Sequence, residues 1–214
     1  MLTLAIDTST NVLSIALVSG DEVLASQDVS TKNNQSEILM MKIEEMMRKC
    51  NLLPTDLEKI AVAIGPGSYT GIRVGVTAAK SLAYALDIPV VSVSSLKVMA
   101  QLKRGADIRV AMIDARRGTV FAAAYDPDDL PLIPEGHYDM EKFLARLPKE
   151  KTTSFITDHV LASKEDWVIS EGELNRSKAE VLAKLSHGSL PVENVHNLMP
   201  NYLRKTEAEL NLDG

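Results

Sequence analysis

Ala63-Ile64-Gly65-Pro66-Gly67-Ser68-Tyr69-Thr70-Gly71-Ile72-Arg73-Val74-Gly75 decides the reading of this chain. An apolar strand, Ile60 to Ile64, runs into a glycine turn, and the turn feeds a helix. Such a helix start aims free backbone N–H groups and a positive dipole end at whatever lies beyond it. The run nevertheless fails both common phosphate-loop patterns. Five residues after Gly65 stands Thr70 with no lysine following, so a Walker loop is excluded, and Gly65-Pro66-Gly67-Ser68-Tyr69-Thr70 ends in threonine where a dinucleotide fingerprint needs glycine. The turn has the shape of a ligand loop without the residues for phosphate chemistry.

Outward from that turn, hairpin signals give three strands: Leu2 to Ile6, Val12 to Val18 and Val23 to Val29. A helix capped by Ser36 runs to Lys49, the strand and glycine turn follow, and the second helix ends near Leu86 before Asp87-Ile88-Pro89. Val90 to Val93 is a strand, and Ser94 or Ser95 caps a helix reaching Leu102. The order β-β-β-α-β-α-β-α predicts a mixed sheet covered by helices, hence an α/β fold. After Gly105 the opening starts again. Leu4-Ala5-Ile6-Asp7 matches Ala111-Met112-Ile113-Asp114 in type, a shift of 107 in a chain of 214, which points to an internal duplication. The expected division is an N-terminal lobe over 1–104 and a smaller C-terminal lobe over 105–214. In the second half, Asp126 to Gly136 carries three of the nine prolines and reads as an exposed loop. Met140 to Leu147 and Lys178 to Gly188 read as helices, Thr153 to Thr157 and Asp166 to Ile169 as strands, and Pro200 onward as a polar tail that packs back on the first lobe.

Composition narrows the function. The net charge of −6 argues against an electrostatic nucleic-acid binder, so any RNA role needs a local basic patch or a basic partner. Aromatics at 4% argue against a stacking platform for single strands. Cys50 is the sole cysteine, which rules out an intramolecular disulfide and a cysteine-rich metal site. The opening Met1-Leu2-Thr3-Leu4-Ala5-Ile6 lacks a basic segment before an apolar one, and no apolar run approaches a membrane span, so the expectation is a cytoplasmic protein.

Two helices read as interface elements. On the first, Leu39, Met40, Ile43, Met46 and Met47 cover a face about 120° wide, enough to pack on the sheet. Ile38 and Met41 fall outside it, among Glu37, Lys42, Glu45 and Arg48. The helix is either buried between the sheet and a neighbour or binds a partner. The second carries Gly71, Gly75, Ala79 and Ala83, a small-residue ridge for close packing, either on the chain's own sheet or on another subunit. Asp7 and Asp114 end strands beside hydroxyl-rich or basic turns, where carboxylates hold a hydrated metal near phosphates or simply satisfy turn N–H groups. His137, His159, His187 and His196 show no helical metal spacing, Ser9 and Ser68 have no histidine placed beside them, and Arg116-Arg117 is either a phosphate contact or a solvated hairpin tip.

Leu4-Ala5-Ile6-Asp7-Thr8-Ser9-Thr10, Ser36-Glu37-Ile38-Leu39, the glycine run, Ala79-Lys80-Ser81-Leu82-Ala83, Ile113-Asp114-Ala115-Arg116 and Tyr202-Leu203-Arg204 together closely resemble the bacterial TsaB (YeaZ) family over essentially the whole chain. The resemblance implies an actin-like (ASKHA) fold of two duplicated ribonuclease-H-like lobes, with mixed sheets flanked by helices. It implies a role in forming N6-threonylcarbamoyladenosine at position 37 of ANN-decoding tRNAs, as a non-catalytic scaffold for the catalytic paralogue TsaD. The ATPase TsaE, tRNA bound indirectly through the complex, and a homodimer of the isolated chain complete the implied partners. On this reading the partner-binding residues are Ser36, Glu37, Ile38, Met41, Glu45, Tyr69, Ile72, Gly75 and Ala79. Asp7, Thr8, Gly67, Ser68 and Asp114 are the nucleotide- or phosphate-facing candidates, with no catalytic residue, no metal and no tightly bound cofactor, though ATP or ADP fits the complex junction. The catalytic relatives carry a His-x-x-x-His metal motif, and the matching positions here are Gln35 and Leu39. Two rival readings stand beside it: an actin-like ATPase or kinase using Asp7, Asp114 and the Gly65–Gly71 turn, and a metallopeptidase.

Overall fold

The computed structural model describes residues 1–31, 34–158, 169–170 and 176–203. Asp166 to Val168, His159 and Arg204, all singled out in the sequence, lie outside the described residues.

Each half of the chain builds one five-stranded sheet. The first contains β1 (Leu2–Asp7), β2 (Val12–Ser19), β3 (Glu22–Ser30), β4 (Lys59–Ala63) and β5 (Val90–Val93), in the order β3-β2-β1-β4-β5. The second contains β6 (Ile108–Asp114), β7 (Thr119–Tyr125), β8 (Pro131–Asp139), β9 (Thr153–Thr157) and β10 (Ile169–Ser170), in the order β8-β7-β6-β9-β10 when read from the same end. The pairing senses repeat as well. In each sheet the first strand is antiparallel to the second and parallel to the fourth, and the fourth is parallel to the fifth. Asp7 and Asp114 therefore end equivalent strands, as the repeat in the sequence indicates.

The helices α1 (Gln35–Lys49), α2 (Tyr69–Leu86), α3 (Ser95–Ala100), α4 (Met140–Leu144) and α5 (Lys178–Leu185) fill three layers. Strand alternation assigns the faces. Leu4, Ile6, Leu13, Ile15 and Leu17 join Leu39, Ile43, Met46, Met47, Ile72 and Val76 in an outer core under α1 and α2. Ala5, Ala16, Ala61 and Ala63 face the other way and join Leu96 and Met99 of α3, Ala179 and Leu182 of α5, and Ala111, Ile113 and Ala123 of the second sheet. The short side chains on this inner face let α5 lie close over β1 and β2, while α3 packs on β6, β7 and β9. A third core, Val110, Met112, Val120 and Ala122, is closed by Phe143 of α4.

The structure corrects four local readings. The first helix starts one residue before Ser36, with Asn34 at its N-cap and no side-chain cap bond. Met40, expected on the packed face, is 47% exposed, while Leu39, Ile43, Met46 and Met47 are buried. Residues 131–136, expected in a loop, belong to β8, which pairs antiparallel with β7 through Ala122↔Gly136 and Tyr125↔Pro131. Proline is tolerated there because β8 is the edge strand, where an N–H need not be donated. The helix near residue 140 ends at Leu144 rather than Leu147. After α5 the chain returns to the first sheet: Val192 N–H donates to Val90 O at 2.8 Å and Asn201 N–H to Ile64 O at 2.7 Å. Among the described residues no helix is long and apolar enough to cross a membrane.

Candidate functional site

The turn after β1 meets the glycine run in a buried enclosure. Asp7, Thr8 and Ser9 are fully buried and Thr10 nearly so. Asp7 Oδ1 accepts hydrogen bonds from Ser9 N–H at 2.9 Å and Ser9 Oγ at 2.6 Å, the local arrangement expected of an aspartate at a tight turn. Lys178, the first residue of α5, brings its ammonium to 3.4 Å from the same oxygen and donates to Thr10 Oγ1 at 2.8 Å. The lysine is 3% exposed, so the pair is withdrawn from water. Asp7 Oδ2 is buried without a hydrogen-bond partner.

The glycine run closes the other side of this turn. Ser68 N–H donates to Ser9 O at 2.7 Å, and Thr8 Oγ1 donates to Gly71 O at 2.7 Å. A Cβ on Gly67 would lie 2.1 Å from Ser9 O, and one on Gly75 would lie 2.3 Å from Thr8 Oγ1. Glycine at both positions is therefore a requirement of close approach between α2 and the β1–β2 turn. Ser68 itself caps α2, its Oγ accepting from Gly71 N–H at 3.2 Å. Gln35 completes the enclosure, donating from Nε2 to Thr10 O at 2.7 Å, and Leu39, its counterpart one helical turn on, lies in the core.

A second polar set anchors α5 over the inner face. Ser14 Oγ and Ser177 Oγ both donate to Asp28 Oδ1, and Ala179 N–H donates to Ser14 Oγ at 2.9 Å. The same helix thus delivers Lys178 to Asp7.

The candidates for phosphate contact divide between the sheets. Asp7, Thr8, Gly67 and Ser68 meet in the enclosure just described. Asp114, on the second sheet, accepts from Arg116 N–H at 3.2 Å and its own N–H lies 3.4 Å from Asp158 Oδ2. Arg116 and Arg117 are exposed at a tight hairpin with φ of 67° and 53°. Among the described residues no group of three histidine, cysteine, aspartate or glutamate side chains is placed to hold a metal.

The partner candidates also divide. Ser36, Glu37 and Met41 are exposed on α1 and Ile38 is half-buried. Glu45 lies between Lys42 and Lys49, at 2.8 Å from each ammonium. Hydrogen bonds from these two lysines pull its carboxyl down to about 2. Tyr69 is 47% exposed, stacks on Tyr202 with ring centroids 5.1 Å apart, and carries the Arg73 guanidinium 5.3 Å from its centroid. Ile72, Gly75 and Ala79, expected among the partner-binding residues, pack inside the chain: Ile72 is 1% exposed, Ala79 is 0%, and Gly75 meets Thr8. The start of the ridge, Gly71 and Gly75, is explained by the approach of Thr8, and the candidates left exposed are on α1 and at Tyr69.

Two features escaped the sequence. Lys178 lies 171 residues from Asp7 and no local pattern marks it. The exposed rings of Tyr84 and His196 lie 5.4 Å apart near the far end of α2, and only the position of Tyr202 in a short motif hinted that the C-terminal segment returns to this helix.

Two sheets of identical strand order, with helices outside and between them, define an actin-like α/β protein of two ribonuclease-H-like units. The family model described as TsaD, tRNA N6-adenosine threonylcarbamoyltransferase, matches residues 22–169. The chain is 35% identical to the tRNA threonylcarbamoyladenosine biosynthesis protein TsaB of Bacillus subtilis, over 98% of this chain and 96% of that protein. It is 37% identical to the Escherichia coli protein of the same name, over 59% of this chain and 55% of that protein. A crystal structure from Pseudomonas aeruginosa, described as an uncharacterized protein with similarity to peptidase YEAZ, superposes with a TM-score of 0.76 at 23% identity, over 95% of this chain and 99% of that one. The chain belongs to the bacterial TsaB family.

Proposed function

We propose that this chain is a non-catalytic subunit of the machinery that forms N6-threonylcarbamoyladenosine in tRNA, where it binds and stabilises the catalytic relative TsaD. The names of its relatives support the process. The observation that carries the non-catalytic role is the Lys178–Asp7 pair. An actin-like enzyme uses the cleft between its halves for a nucleotide, and here an ammonium from the chain itself neutralises the carboxylate at the end of β1, at 3.4 Å. Gln35 and Leu39 stand where the catalytic relatives place metal-binding histidines, and one is tied to the β1–β2 turn while the other is core.

The binding surface is the outer side of α1 with the start of α2. Met40 and Met41 are 47% and 53% exposed, and Tyr69 presents a ring pre-ordered by stacking. Adaptable methionines and a fixed aromatic are side chains that anchor protein interfaces. Ser36, Glu37 and Ile38 flank them, and Glu45 with its two lysines forms a charged rim. Without TsaD the same patch pairs two copies of the chain, and TsaE and tRNA meet the assembled complex.

Co-purification of the chain with TsaD, followed by tRNA modification assays, tests this. The account expects modification to require both proteins and a Met41→Asp chain to lose the complex. ATP turnover by the isolated chain in magnesium would favour the ATPase reading and overturn this one.

A further inference from the structure

The segment that returns to the first lobe after α5 lies along α2 and runs in the opposite sense. Near one end the His196 carbonyl accepts from Lys80 Nζ at 2.7 Å, and the His196 ring packs 5.4 Å from that of Tyr84. Near the other, Tyr202 stacks on Tyr69 with centroids 5.1 Å apart. At about 100° per residue, Tyr69, Arg73, Lys80 and Tyr84 fall within about 60° of one another around α2. Gly71, whose Cβ would lie 2.7 Å from Gln35 Oε1 of α1, is about 140° or more away from them. Residues 196–202 therefore follow the flank of α2 that α1 leaves open.

The side chains gathered there set this flank apart from the rest of the molecule. Aromatics are only 4% of the sequence, yet three of its five tyrosines stand here exposed, Tyr84 at 68%. The other two, Tyr125 and Tyr138, are buried and half-buried on the second sheet. Met199, between His196 and Tyr202, is also exposed. Tyrosine, methionine and arginine are the side chains that protein interfaces enrich, while lysine, glutamate and aspartate are depleted there. Tyr69 stacks on Tyr202 and carries the Arg73 guanidinium 5.3 Å from its centroid, so these rings are ordered before a partner arrives. Such pre-ordering lowers the entropy lost on binding.

Charge selects the partner. The net charge of the chain is −6, yet α2 carries Arg73 and Lys80 and no carboxylate along its 18 residues. The first acids, Asp87 and Glu193, follow at the Tyr84 end, where Val192 N–H donates to Val90 O. A second copy joined two-fold through this flank would set the same cations against each other. The surface that fits is acidic and offers acceptors to tyrosine hydroxyls. We propose that residues 196–202 and the open flank of α2 form one docking face for an acidic segment of TsaD. Tyr84, Met199 and Tyr202 are its apolar anchors and Arg73 its charged one. The inference rests on the partner reading above and extends it around α2, from the α1 side to the returning segment.

The test is calorimetric titration of TsaD with the full chain and its variants. Tyr84→Ser, Met199→Ser and Arg73→Glu should each weaken binding at least about tenfold, the loss of one interface anchor. Arg73→Glu should lose more than Arg73→Gln, because only an acidic partner repels the new charge. Lys142→Glu on α4 should leave binding unchanged. All three side chains of the face are exposed, and unaltered urea midpoints show that the variants fold. Tyr84→Ser and Arg73→Glu chains at wild-type affinity would overturn the inference, and if Met41→Asp still loses the complex, the α1 reading stands without it. Equal losses for Arg73→Glu and Arg73→Gln would overturn the acidic assignment. Loss of a homodimer in sedimentation, with TsaD affinity intact, would overturn the proposal by making a second copy the occupant. A wild-type chain that fails to bind TsaD would overturn this inference and the partner reading together.

Discussion

Replacing Lys178 with methionine tests whether the buried charge pair with Asp7 holds the enclosure around the β1–β2 turn together. The substitution keeps most of the side-chain volume and removes the ammonium. At 3.4 Å the attraction between Lys178 and Asp7 is about 5 kcal/mol at an effective dielectric constant of about 20. Desolvating both ions consumes much of that, so the pair itself adds little net stability. The variant behaves differently from the pair's absence, because it leaves a fully buried carboxylate with only Ser9 to satisfy it and one oxygen already lacking a partner. Breaking one side of a buried pair costs about 3–5 kcal/mol, which for a chain of this size lowers the melting temperature by about 6–20 °C. The assay is urea unfolding of the wild type, Lys178→Met, Asp7→Asn and the double variant. The double variant should recover at least half of the loss, because an amide tolerates a neutral neighbour. A Lys178→Met chain within about 0.5 kcal/mol of wild type, a typical surface effect, would refute the reasoning, as would a double variant whose loss is the simple addition of the single ones.

Further outcomes follow from the same geometry. Gly75→Ala should destabilise the isolated chain by about 1–3 kcal/mol in urea unfolding, since its Cβ would meet Thr8 Oγ1 at 2.3 Å and the turn must move. Met41→Asp should leave unfolding within about 0.5 kcal/mol of wild type and weaken TsaD binding at least tenfold by calorimetry, because Met41 is 53% exposed and touches no core. Lys59 is 3% exposed, donates among the described residues only to the Ser186 carbonyl at 3.3 Å, and burial holds its ammonium below the ordinary lysine value of 10.5. The unfolded chain therefore binds more protons than the folded one between the lowered value and 10.5, and stability rises with pH across that window. Lys59→Met should flatten that slope in melting curves taken from pH 7 up to 10.5 and should raise stability at pH 7, the direction expected when a buried charge is replaced by an apolar side chain.

The sequence shows most of the first sheet because its signals are local. Alternation in β1 and β2, the turns between them, and the glycine start of α2 are all contained within a few residues. The repeat of the second sheet shows for the same reason at Ala111 to Asp114. β8 was hidden because Pro131, Pro134 and Gly136 mark a loop wherever the neighbouring strand is unknown, and only an edge position makes them compatible with pairing. The small-residue ridge on α2 could be read, but its companion could not. Thr8 lies 63 residues before Gly71, and nothing in either segment names the other. Lys178 is the extreme case, a lysine at a helix start with ordinary neighbours, whose role exists only because α5 crosses β1 and β2. The exposed part of α1 was the opposite case: helical periodicity alone separated Met41 from Leu39 and Ile43.

The central claim is that this chain acts by binding TsaD and does no chemistry alone. Reconstituted modification of an ANN-decoding tRNA measures it directly when TsaD, TsaE and this chain are added in turn to the remaining components of the reaction. The account predicts product only when TsaD and this chain are both present, with rate falling at least tenfold for the Met41→Asp chain and unchanged for Lys142→Glu. Product formed at the full rate without this chain, or by this chain without TsaD, would contradict it.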